Sequence, residues 1–110
     1  MKRTFLVAAA LVALSGCGKS ESQKAADDAA VLEIKTQRLA REMVTKHLKD
    51  PESASFRNQK GLCGEVNSKN SFGGYPGYRR FIAANENMVA FEGGNMDSTE
   101  FNQVWQQFCH

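Results

Sequence analysis

The chain has 110 residues, with 14 Lys and Arg against 12 Asp and Glu, a formal charge of +2 and 42% hydrophobic residues. That length holds at most one compact domain and excludes a multidomain enzyme. Two of the cations, Lys2 and Arg3, sit in the leading segment, so the rest is balanced and lacks the positive field with which proteins hold duplex DNA or RNA.

The chain opens on a short basic stretch, Met1-Lys2-Arg3, followed by an apolar run from Phe5 to Leu14 and then by Leu14-Ser15-Gly16-Cys17. The run is far short of the roughly 20 apolar residues that a membrane-spanning helix needs, so it reads as the core of an export signal. Leu-Ser-Gly-Cys resembles the lipobox of bacterial lipoproteins. The resemblance implies that residues 1–16 are a signal peptide and that Cys17 becomes the lipidated first residue of the product. Such a product carries three acyl chains, palmitate among them. At about 0.8 kcal/mol per buried methylene, that anchoring is permanent. The domain is then expected in the bacterial cell envelope, tied to a membrane by lipid and facing the periplasm. Gly18 is not the Asp associated with inner-membrane retention, while Lys19-Ser20 resembles a retention signal of other lipoproteins, so the two cues point to opposite membranes. Gly18-Lys19-Ser20 also mimics the end of a phosphate-binding loop, but that pattern requires Gly where this chain has Ala13.

Residues 17–23 are small and polar and are expected to form a flexible tether, with a single domain over residues 24–110. From Lys24 to Lys49 the pattern turns helical. Leu32, Leu39, Ala40, Met43, Val44, His47 and Leu48 share one arc, opposite a basic face of Lys35, Arg38, Arg41 and Lys46. His47 falls inside the apolar arc, which predicts a packed, hydrogen-bonded imidazole. Asp50-Pro51 stops the helix, because the residue before proline is pushed out of the α region. Strands are expected at Ser55–Gln59, Leu62–Asn67, Tyr78–Ala84 and Met88–Glu92, with a tight hairpin at Asn85-Glu86-Asn87. Asp97, with Glu100 three residues on, then begins a second helix whose Phe101, Val104, Trp105 and Phe108 recur at helical spacing. The predicted class is α+β: an N-terminal amphipathic helix, a small antiparallel sheet of three or four strands, and a C-terminal helix.

With Cys17 set aside, Cys63 and Cys109 remain as an even pair, and in an exported chain a disulfide between them is the simple outcome. It would stabilise the domain by about 4 kcal/mol in the chain-entropy model and rivet the last helix to the second strand. A metal site from these two cysteines with His47 and His110 is the competing reading, but no pair has the close spacing of a zinc knuckle. No metal and no cofactor are expected. An enzyme is not expected either, because no nucleophile, base and oxyanion site come together in the sequence. Glu65, Glu86 and Glu92 are read as surface carboxylates.

The connection from Ser68 to Gly77 is long, and such loops are commonly functional. Phe72, Tyr75 and Tyr78 place three aromatics in seven residues, and Gly73 and Gly74 let the backbone turn tightly and approach another surface. These residues, with Arg79, form the predicted partner-binding set. Arg80 should point away from Arg79, since alternate residues of a strand face opposite sides. The runs Asp50-Pro51-Glu52-Ser53-Ala54-Ser55-Phe56 and Cys63-Gly64-Glu65-Val66-Asn67-Ser68-Lys69-Asn70, followed by Gly73-Gly74-Tyr75, resemble a family of small bacterial and phage-associated proteins that carries a common fold and no established activity. Ser71 and Tyr75 also have the spacing of the inserting loop in periplasmic lysozyme inhibitors, although Phe72 replaces its Gly. The function expected from these features is an envelope binding module that recognises an envelope protein or a cell-wall component through the loop. A lysozyme inhibitor, a phage superinfection-exclusion lipoprotein and a structural envelope lipoprotein are its alternatives.

Overall fold

The computed structural model describes residues 20–110, so the signal segment and Cys17 lie outside the described residues. The element order is α1 (Glu21–Thr45), a single 3-10 turn (Pro51–Ser53), β1 (Ser55–Lys60), β2 (Cys63–Asn67), β3 (Arg79–Asn85), β4 (Met88–Phe91) and α2 (Ser98–Phe108). The four strands form one sheet in the order β1-β2-β3-β4, and every neighbouring pair is antiparallel. This is the expected α+β class, and the sheet is a four-stranded meander.

Helix α1 begins earlier than its apolar pattern suggests. Ser20 is the N-cap and its hydroxyl accepts from the Gln23 amide at 3.1 Å. The Ser-x-x-Gln spacing has the form of a capping box, and the alanines that follow are strong helix formers. Residues 21–23, expected in the tether, are therefore the first turn of the helix. The other end comes sooner than Asp50-Pro51 would dictate. His47 and Leu48 donate back three residues, to Val44 and Thr45, and the helix tightens and stops. Tertiary contacts fix this end: Lys46 pairs with Glu86 at 2.7 Å and the His47 Nε2–H donates to the Glu86 carbonyl at 2.8 Å. His47 is thus hydrogen-bonded as expected, but it is exposed and lies past the helix, not packed in its apolar arc.

The sheet is covered on both faces, and alternation along β3 shows how. Phe81 and Ala83 join Ala40, Met43, Val44 and Val66 in a core under α1, while Ile82 joins Cys63 and Phe101 in a second core under α2. Phe56 meets Phe81 edge to face at 5.8 Å. Gly64 pairs with Phe81 across the strands, and a Cβ at Gly64 would come within 2.9 Å of the Phe81 ring. Only a residue without that carbon lets the ring lie over β2. The Cys63–Cys109 disulfide joins the sheet to the end of α2, with Cα atoms 5.8 Å apart. Asp97 caps α2 as expected, accepting from Thr99 and Glu100.

Two expectations about burial are corrected. Leu32 and Leu39, assigned to the buried arc of α1, are 64% and 48% exposed. Leu39, next to fully buried Ala40, is turned to the flank of the helix. Leu32 lies beyond the sheet, which reaches only the C-terminal half of the helix. Its first anchor is Glu33, whose carboxylate accepts from the Gly61 amide at 2.8 Å, followed by Gln37 and Arg41 on Gln59. The twelve residues Glu21 to Leu32 are exposed apart from half-buried Asp27, an overhang of about 18 Å at 1.5 Å per residue. Phe108 likewise stays exposed at the end of α2. Strand β1 carries a bulge after Arg57, where Asn58 adopts a positive φ of 53° and its side-chain Nδ2 donates to the Glu65 carboxylate.

Candidate binding surface at the loop between strands β2 and β3

The loop is ordered by one residue. The Asn70 side-chain oxygen accepts from the Phe72 and Gly74 amides at 2.9 and 3.1 Å, the Asn70 carbonyl accepts from Gly73, and the Asn70 amide donates to the Gly74 carbonyl. This knot works because Asn side chains mimic a backbone turn and because Gly73 accepts a φ of 79°. Phe72 is held at its apex, 96% exposed. The base is tied to the domain as well. The Ser53 hydroxyl donates to the Asp50 carbonyl and accepts from the Lys69 amide, and the Gly77 amide donates to the Asn67 side chain at 3.1 Å.

The three expected aromatics therefore have different fates. Tyr78 lies under the Arg57 guanidinium, 3.8 Å from its ring centre, and Arg57 is itself bonded to Glu65 at 2.6 Å. Tyr75 donates its hydroxyl to the Ser53 carbonyl at 3.3 Å and has the Lys69 ammonium 5.9 Å from its ring. Phe72 alone of the three has no internal ring contact among the described residues.

Arg79 and Arg80 do point in opposite directions. Arg80 grips Glu92 through two nitrogens, donates to Asn102 at 2.7 Å and lies 5.0 Å from both the Phe101 and Trp105 rings. Arg79 turns to the α1 side, where its guanidinium stands 4.2 Å from the Phe91 ring. Between that guanidinium, the loop and the chain leaving α1 lies a groove of about 410 Å³. His47, Lys49, Lys69 and Arg79 line it together with Asn70 and Pro76, and no carboxylate does.

The carboxylates named from the sequence are all paired elsewhere. The Arg57 hydrogen bond lowers the pKa of Glu65, Lys46 lowers that of Glu86, and Arg80 lowers that of Glu92. Each is held ionised as one half of an ion pair. Among the described residues no group of three His, Cys, Asp or Glu is arranged to hold a metal ion, and Cys63 and Cys109 are bonded to each other. No helix among them is long and apolar enough to cross a membrane.

Sequence reasoning found the loop and Arg79 but not the groove, because His47, Lys49 and Lys69 meet only after the helix end, the corner and the loop are folded together. It also gave Asn70 no structural role, although Asn favours turns and the glycines three and four residues on permit them. Comparison with family models, curated proteins and solved structures finds no match to the chain.

Proposed function

We propose that the chain is a lipid-anchored binding module of the bacterial envelope, acylated at Cys17 after removal of residues 1–16, whose Gly-aromatic loop recognises an envelope protein or a cell-wall component. The observation that carries this reading is Phe72, an apolar ring held in water at the apex of a loop that is itself internally bonded. A pre-ordered loop loses little entropy on docking, and full burial of a Phe ring is worth about 1.5–3 kcal/mol. The lipobox supports the anchor, and a disulfide-stapled domain suits an oxidising compartment.

The test is photo-crosslinking from the loop in intact cells, followed by binding measurements on the captured partner. Phe72→Ala should weaken the complex by tenfold or more while the melting temperature of the domain stays at its original value. Unchanged capture in that variant would refute the loop as the contact surface. Cys17→Ser should release the protein from the membrane fraction. Mass analysis showing an intact, unacylated chain would refute the anchor.

A second reading is favoured by the outer face of α1, where Val31 and Leu32 at the end of the overhang and Ile34 just past it are exposed beside Lys35 and Arg38. It makes the protein a structural envelope lipoprotein that meets its neighbours through the helix. Charge reversal at Lys35 and Arg38 abolishes capture under this reading and spares it under the first.

A further inference from the structure

The groove beside the loop concentrates positive charge that the domain itself leaves unanswered. Lys46, Arg57 and Arg80 each have a carboxylate within hydrogen-bond distance. Arg79 does not. Its guanidinium is half-buried, its contact is the face of Phe91, and among the described residues no carboxylate or carbonyl accepts from its five N–H groups. A guanidinium in that position has given up water without gaining an acceptor, which is a standing invitation to an anion. Burial accordingly lowers the pKa of Arg79.

We propose that this groove binds a phosphate-bearing anion, with the Arg79 guanidinium as its fixed fork and Lys49 and Lys69 as an outer clamp. The site goes beyond the loop-apex reading and rests on side chains other than Phe72, with Arg79 at its centre. A phosphate group fits because the planar guanidinium presents paired donors that match two of its oxygens, while the lysines add charge without fixed geometry. The Ser68 hydroxyl adds a neutral donor. Two lysines and an arginine around one cavity favour a di- or trianion over a single carboxylate. The volume lies within the range of about 300–1,000 Å³ found for small-molecule sites. The phosphate can belong to a soluble compound or to a lipid headgroup, since both present the same oxygens.

The experiment is isothermal titration of the full chain in neutral detergent with pyrophosphate, with a short-chain phosphatidylglycerol, and with acetate as a singly charged comparison. Saturable one-to-one binding of pyrophosphate, much tighter than acetate, is expected. Binding of the phosphatidylglycerol as well would identify a headgroup site, and its failure to bind would identify a soluble ligand. Lys49→Gln with Lys69→Gln, both at solvent-exposed positions, should weaken pyrophosphate binding about tenfold or more. Arg79→Gln should abolish it, and Arg79→Lys should recover only part. Melting curves of each variant establish that it is folded. Phe72→Ala should leave pyrophosphate affinity unchanged, so the groove and the loop apex can fail separately. Absence of saturable pyrophosphate binding at millimolar concentration, or equal affinity in the double lysine variant, overturns the proposal.

Discussion

Single atoms decide two features of this domain. At Gly64 the missing side chain makes room for Phe81, and restoring one carbon puts it 2.9 Å from both the ring and the Gln59 side chain. Phe81 is fully buried and cannot step aside. Gly64→Ala is expected to destabilise the fold by about 1–3 kcal/mol, measured by urea unfolding. Glu33 carries a different kind of dependence. The Gly61 amide, and next the Gln37 side chain, lower its pKa from the ordinary 4.5. Its contribution is therefore complete above that value and lost as pH falls through the depressed value in the folded state. Glu33→Gln keeps an acceptor for Gly61 but cannot titrate. Unfolding curves between neutral pH and about pH 3 should show a shallower acid loss in the variant than in the parent.

Elements were legible where local chemistry and tertiary packing agreed. Asp97 and Glu100 announced α2, Asn85 to Asn87 announced the last hairpin, and the parity of Cys63 and Cys109 announced the staple. Boundaries were not legible where a distant group intervened. Nothing near His47 in the chain says that a carbonyl of the β3–β4 turn will end α1 there, and nothing near Leu32 says that the sheet stops short of it. For the candidate site, the aromatic loop was visible as composition, but its order was not, because that depends on how Asn70 folds back on Gly74. The staple itself can be tested at this scale. Opening a link across 46 residues should remove about 4 kcal/mol in the chain-entropy model. Hydrogen exchange in reductant, or with both cysteines replaced by serine, should show α2 losing protection before β2 and β3 do.

The domain as a whole is a three-layer body with one projecting rod. If Cys17 bears the anchor, only Gly18 and Lys19 separate it from the Ser20 cap, and the overhang of α1 becomes a stiff spacer where a loose tether was expected. Packing does not depend on that spacer. Ala29→Pro should break the helix at an exposed turn and leave the stability of the domain within about 0.5 kcal/mol of the parent, measured by chemical unfolding. A larger loss would show that the overhang is docked on the body. The same variant is predicted to relax the stand-off between body and bilayer, read as a change in fluorescence transfer from a labelled loop to labelled lipid.

The third strand has a wider significance. Consecutive residues Phe81 and Ile82 serve separate cores, so a shift of one position would put each row into the other's core and carry Arg80 to the α1 side. An alignment error that ruins two interiors together leaves no half-correct arrangement in which the chain can linger. The strand thereby proofreads its own placement, and the two helices, which share no core, settle on a template already checked from both sides.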